Sequence, residues 1–227
     1  MSTSLDRVTD QLLGPRDVVV VEGPDAATYL HSQVSQALLD LPVGERRWTF
    51  VLDPTGKVDG LARVTRTSDE RFDLDTDAGF GTALLARLDR FRIRVDATTR
   101  LEGAGPADPD PDTEAARIAL GWPRLGAEIV PGETIPGGTG LTAIAVDFKK
   151  GCYPGQELVE RMDSRGAEPP RALRRVTVPE GTRPGDPVLD DSDPAVEVGV
   201  VTSVAGTEAL AWIKRGHDIG VPVRFEP

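Results

Sequence analysis

The single cysteine of the chain, Cys152, stands in the stretch DFKKGCYPGQELVERMDSRG, residues 147–166, directly after Lys149, Lys150 and Gly151. The residues from Pro154 onward read as a helix with proline in its first turn. Lysine charge and the positive end of a helix dipole both favour thiolate over thiol, so an accessible Cys152 is expected to have a lowered pKa. Gly151 and Gly155 allow close backbone approach, and free amides at a helix start hold a carboxylate or the polar edge of a heterocycle. The same spacing also describes an ordinary turn before a helix, with Cys152 as a small buried hydrophobe and the lysines solvated. Spacing alone leaves both readings open.

Other residue types narrow the chemistry. One cysteine excludes an intrachain disulfide and a cysteine-only metal cage. His31 lies on a helix off its apolar stripe and His217 in a turn, neither beside a cysteine or paired acids, so both are assigned to structure and no metal site is expected. Arg161, Arg165, Arg171, Arg174 and Arg175 form a basic cluster suited to an acidic tail or partner, or to a solvated face. Trp48 and Trp212 sit in strand patterns and are assigned to the core. Trp122, between Gly121 and Pro123, is harder to bury in a regular element and is the candidate ring for stacking on a ligand.

The elements that must position these residues come from 227 residues, enough for one large domain or two modest ones. With 24 Gly and 19 Pro, the chain favours short elements and many turns over long helices. The formal charge of −11 repels phosphate backbones and argues against direct nucleic-acid binding. No apolar run reaches bilayer length, and the start MSTSLDRVTD lacks the features of a signal peptide, so a cytoplasmic protein without membrane contact is expected. Residues 17–21 read as a strand, and Ala27, Leu30, Val34 and Leu38 as a helix between Pro24 and Pro42. Residues 48–52 and 58–67 read as a hairpin around Asp53-Pro54-Thr55-Gly56.

Phe80, Leu84, Leu88 and Phe91 predict an amphipathic helix over residues 76–90 that feeds a strand at 93–95. Residues 102–114, with five acids, three prolines and no basic residue, read as a solvated linker. A short helix or strand follows over 113–120, then a strand ending 141–148 and a helix over 154–162. Beyond Pro169-Pro170, short β-branched runs at 173–178, 187–189, 196–204, 209–213 and 221–225 predict a small all-β barrel or sandwich. The fold class is α+β, with a body over 1–168 and a C-terminal β-barrel over 169–227.

The segment KGCYPGQE, residues 150–157, resembles the KGCYTGQE signature of the YgfZ folate-binding family, relatives of the glycine-cleavage aminomethyltransferase. GPDAATYLHSQVSQALLDLPVG, LDPTGKVDGLARV, RFRIRV, VGVVTSVAG and EALAWIKRG resemble other parts of that family, so the resemblance runs over nearly the whole chain. It implies an interwoven folate-binding α+β body with a small β-barrel, and a central channel for tetrahydrofolate. It also implies a role in assembling or repairing iron-sulfur proteins, including enzymes that thiolate tRNA. Expected partners are folate and iron-sulfur client enzymes or assembly proteins. Carried over by position, Cys152 is the central reactive residue. Lys150, Gly151, Tyr153, Gly155, Gln156 and Glu157 are the binding residues, with Trp122 added from the aromatic reading. Pro154 replaces the usual threonine. The aminomethyltransferases carry paired aspartates where this chain reads Asp59-Gly60, which leaves one-carbon transfer as the alternative rather than the first reading.

Overall fold

The structure is a computed structural model and describes residues 14–103, 109–190 and 192–226. Two five-stranded antiparallel sheets organise it. The first contains β1 (Arg16–Glu22), β2 (Arg46–Leu52), β3 (Val58–Arg66), β4 (Arg71–Asp77) and β5 (Thr98–Glu102), in the order β2-β3-β4-β1-β5. The second contains β6 (Arg171–Thr177), β7 (Pro187–Leu189), β8 (Glu197–Ala205), β9 (Glu208–Lys214) and β10 (Val221–Pro222), in the order β10-β6-β9-β8-β7. Among the described residues, five helices accompany them: α1 (Ala26–Gln33), α2 (Gly81–Phe91), α3 (Pro111–Leu120), α4 (Thr142–Ala145) and α5 (Gln156–Ser164), with a 3-10 turn at Pro136–Gly138.

Alternation along each strand decides what each sheet face covers. Val51, Val64, Phe72 and Leu74 pack with Leu30, Leu84 and Leu88, so α1 and α2 lie on one face of the first sheet. Trp48, Phe50, Leu52 and Leu61 point to the other face. There they meet Ile118, Trp122 and Ile129, together with Leu173, Leu210, Val223 and Phe225 from the C-terminal part of the chain. The run Val19-Val20-Val21 is fully buried because β1 lies between β4 and β5 and is covered on both faces. β7 and β10 are the edges of the second sheet, and among the described residues no ladder joins them into a closed barrel.

Several expectations from sequence are corrected. The helix with Leu30 ends at Gln33 instead of running to Leu38, because Ser35 turns inward. Its Oγ donates to Ala145 O at 2.6 Å and accepts from Phe50 N at 2.9 Å, which an intrahelical position would not allow. The second helix starts at Gly81, not at Thr76, and residues 71–77 form β4. Residues 93–95 are not a strand: Ile93 is 74% exposed, and the strand lies further on, at β5. Residues 141–148 form α4 and an irregular exit rather than a strand.

In the acidic stretch, Asp110 caps α3 by accepting from Asp112 N at 3.1 Å and Thr113 N at 3.0 Å, with Pro111 in the first turn. Asp110, Asp112 and Glu114 thus sit at the start of α3 and answer its dipole, and Glu102 belongs to β5. Residues 104–108 of that stretch, and the N-terminal residues read as lacking a signal peptide, lie outside the described residues. Pro154 and Gly155 precede α5, which begins at Gln156.

Candidate functional site

The Cys152 loop is held from two sides. On one side, Gly155 adopts φ +80° at the N-cap of α5 and packs on the β2–β3 turn. A Cβ on Gly155 would lie 2.4 Å from Asp53 O and 2.8 Å from Gly56 Cα. Gly56 has φ +89°, and a Cβ there would lie 2.5 Å from Leu158 Cβ. The two glycines therefore let two backbones meet where any side chain would separate them. The turn itself is set by Asp53, whose Oδ1 accepts from Thr55 N at 2.8 Å and Lys57 N at 3.0 Å.

On the other side, Lys150 reaches inward. Its Nζ donates to the carbonyls of His31 and Val34 at the C-terminal end of α1 and lies 5.0 Å from the centre of the Tyr153 ring. The segment leading to Lys150 is fixed by Asp147 N donating to Ser35 O at 3.0 Å and Lys149 N donating to Asp147 Oδ1 at 2.7 Å. His31 serves the same end: its Nδ1 accepts from Leu38 N at 3.1 Å and closes the turn after α1.

Between these anchors Gly151 and Cys152 are exposed. Gln156 is half-buried and faces both neighbours of the thiol: its Oε1 accepts from Tyr153 N at 2.9 Å, and its Nε2 donates to Cys152 Sγ at 3.6 Å. The first bond fixes which way the amide points, and so places an N–H donor against the sulfur. Tyr153 is 7% exposed and belongs to the core, with a hydroxyl that has no partner among the described residues. Glu157 is exposed on the first turn of α5. Cys152 is thus an exposed thiol on a pinned loop, and the buried-hydrophobe reading is excluded.

Burial pulls the Lys150 ammonium down to about 8 from its usual 10.5, with Asp147 opposing. An unfolded chain keeps that proton to about 10.5, so between pH 8 and 10 the unfolded state binds more protons and raising the pH favours the fold. Tyr29 and Tyr153, pushed up to about 12 by burial, act in the opposite direction only above about pH 10, where unfolded tyrosines ionise. The urea midpoint is expected to rise from pH 8 to 10 in the native chain and to stay flat in Lys150→Met. A flat native profile would show that the carbonyls of α1 compensate the ammonium fully.

Of the other sequence candidates, Trp122 is corrected: it is 2% exposed, packed between Trp48 at 4.6 Å and Phe225 at 5.0 Å between ring centres. Trp212, assigned to the core from sequence, is only half-buried. The arginines disperse. Arg174 pairs with Asp218 at 2.8 Å and Arg175 donates to Ala119 O at 2.7 Å, whereas Arg161, Arg165 and Arg171 are exposed. His217 pairs with Asp190 at 2.9 Å. No group of three or more His, Cys, Asp or Glu among the described residues could hold a metal ion.

Asp59 is engaged by Arg87 at 3.2 Å, and Arg87 also donates to Leu52 O at 2.8 Å. A Cβ at Gly60 would face Leu84 Cδ1 at 3.6 Å and Val51 Cβ at 3.8 Å, so a second carboxylate there would enter the apolar layer under α2. The walls that sequence reasoning missed are Ser35, Gln36 and the Asp53–Gly56 turn. Gln36 Nε2 donates to Ile144 O at 3.0 Å, and only the glycine at position 56 offered a cue.

Among the described residues, cavities of about 450, 390, 250 and 160 Å³ indent the surface, and residues 150–157 line none of these four. No helix among the described residues is long and apolar enough to cross a membrane.

No family model matches the chain. It is 28% identical over 188 residues to an uncharacterized protein of Haemophilus influenzae, covering 66% of this chain and 67% of that protein. It is 37% identical over 86 residues to the tRNA-modifying protein YgfZ of Escherichia coli, and 34% identical over 84 residues to a mitochondrial iron-sulfur cluster assembly factor IBA57 homolog of Neurospora crassa. Those two matches cover 35% and 37% of this chain but only 26% and 19% of the relatives. Among solved structures, the aminomethyltransferase T of the glycine cleavage system from Bartonella henselae superposes with a TM-score of 0.69 at 15% identity, over 96% of this chain and 88% of that one. The fold is that of aminomethyltransferase T.

Proposed function

We propose that this chain, a homologue of the proteins named YgfZ and IBA57, is a tetrahydrofolate-binding accessory protein for the assembly or repair of iron-sulfur proteins, acting through Cys152 and its flanking residues. The observation that carries the reading is the exposed Cys152 on a loop clamped by Lys150 and Gly155, with the Gln156 amide against its sulfur. A thiol held this way is exposed at the surface, where a partner protein can reach it.

The alternative, one-carbon transfer from folate, needs a free carboxylate at the reacting centre. Asp59 is tied to Arg87, and position 60 faces the apolar layer, so the chain offers no second carboxylate there. Loss of the protein from the cell is therefore expected to lower the activity of iron-sulfur enzymes, including those that modify tRNA, while glycine cleavage stays intact. Assays of an iron-sulfur dehydratase and of glycine cleavage in the deletion strain check this, and the reverse pattern would establish the transferase.

A further inference from the structure

The fold brings together a different set of cations from the run of arginines that stands out in the sequence. Arg171 lies directly opposite Lys214 in the β6–β9 ladder, and Arg215 follows Lys214. Lys214, Arg215 and Arg224 line a cavity of about 390 Å³ at that end of the second sheet. All four side chains are exposed, and among the described residues none of them pairs with a carboxylate. Arginines of the first sheet and of α2 are matched instead: Arg16, Arg71, Arg87 and Arg100 all sit on acids.

The cations are oriented but not neutralised. Lys214 Nζ donates to Glu197 O at 2.7 Å, and Arg215 Nη1 donates to Glu168 O at 3.3 Å, so main-chain carbonyls aim two of the side chains and leave their full charge in place. Like charges directly opposite one another in a ladder destabilise it, and the Arg171–Lys214 pair is such a case. An anion lying across both cations would remove that repulsion. The other charged groups of the cavity do not supply it: Glu168 and Glu226 line it without pairing to any of the four, while Arg174 is taken by Asp218 and His217 by Asp190.

The remaining lining decides what kind of anion fits. Ala143, Ala172, Leu173, Ile213, Val223 and Phe225 also border the cavity, so apolar wall stands beside the cations. A nucleic-acid backbone has no use for that wall, and the net charge of −11 repels it. A protein segment that carries acids with apolar residues between them meets both features, and the cavity volume suits a few of its side chains. Glu168 and Pro169, which line the cavity, follow α5, whereas Cys152 precedes it. A nine-residue helix, about 13 Å long, therefore links this place to the thiol loop.

We infer that this end of the second sheet docks an acidic segment of a partner protein, its carboxylates on Arg171, Lys214, Arg215 and Arg224 and its apolar side chains in the cavity. The inference rests on the accessory-protein reading in one respect, that the chain works on a protein partner, and it involves neither folate nor the chemistry of Cys152. Docking here holds the partner by charge at one end of α5 while the thiol stands at the other.

The test is fluorescence anisotropy on the full chain with a dansyl-labelled peptide that alternates glutamate with leucine and serine. The same peptide with glutamine for glutamate and a labelled polyuridylate serve as the competing probes. The glutamate peptide is expected to bind, at least about tenfold more tightly than the glutamine peptide, and to weaken as salt rises. Arg171→Gln and Lys214→Gln are each expected to weaken it about tenfold, the loss of one charge-assisted contact. Arg90→Gln, exposed on α2, is expected to bind as the native chain does. The urea midpoint of Arg171→Gln in the absence of peptide is expected to equal or exceed that of the native chain, since one of two opposed charges is gone. A native chain that does not bind the glutamate peptide, binds the glutamine peptide equally or prefers polyuridylate overturns the docking surface, as do variants at Arg171 and Lys214 that bind unchanged. None of these results bears on the accessory-protein reading, which stands on Cys152 and is decided in the deletion strain.

Discussion

Replacing Glu128 with alanine is expected to lower the stability of the fold by about 3–5 kcal/mol, the range for removing one partner of a buried, hydrogen-bonded ion pair. Glu128 is fully buried and its two oxygens accept four bonds: from Arg117 Nη1 at 2.9 Å, Arg124 N at 3.1 Å, Ser203 Oγ at 2.6 Å and Thr202 Oγ1 at 2.8 Å. Arg117 also holds Glu114 with its Nη2 at 2.7 Å and Nε at 2.9 Å. The carboxylate therefore joins α3, the loop after it and β8 of the second sheet. Its removal leaves the Arg124 N–H and the buried Ser203 hydroxyl without this acceptor, while Thr202 Oγ1 keeps Leu210 O at 3.0 Å, and it opens a cavity.

A urea titration measures the loss, and a shift equivalent to less than about 1 kcal/mol would mean that Glu114 and water replace the carboxylate. The double variant Arg117→Met with Glu128→Met is expected to be more stable than either single variant, because no charge is then left buried alone. This network also borders the cavity beside Trp212, which Glu128 and Thr202 help to line.

The parts of the fold that the sequence shows plainly are those in which one local signal decides the structure. The β2–β3 hairpin follows from alternation on both sides of Asp53-Pro54-Thr55-Gly56, and the strands of the second sheet from β-branched runs between turns. β4 is missed because three of its seven residues are aspartate, which in isolation disfavours a strand. In the fold, arginines on its own and adjacent strands engage them: Arg71 pairs with Asp73 at 2.8 Å, and Arg16 and Arg63 hold Asp75 at 2.9 and 3.0 Å. The early end of α1 is equally non-local, since Ser35 turns inward to partners at positions 50 and 145. The thiol loop is visible from residue types, but its clamps are not: nothing in the spacing of KGCYPGQE says that Lys150 caps the far end of α1 or that Gly155 seats against Gly56.

The second large effect is expected in the cell rather than in the tube. Cys152→Ser is expected to fold with stability within about 0.5 kcal/mol of the native chain, because the side chain is exposed and packs on no core cluster. Its ability to restore iron-sulfur enzyme activity to a deletion strain is nevertheless expected to fall to the level of the empty vector. Serine keeps nearly the same volume and accepts the Gln156 N–H as sulfur does, so the anchors at Lys150 and Gly155 remain in place. What disappears is a soft, ionisable atom that can attack a disulfide or bind a thiophilic metal centre on a client. Cys152→Ala removes the acceptor as well and is expected to behave the same way, which separates loss of thiol chemistry from loss of the Gln156 contact. Full restoration by Cys152→Ser would assign the role of the segment to its backbone and to Lys150, and would leave the sulfur without a part in it.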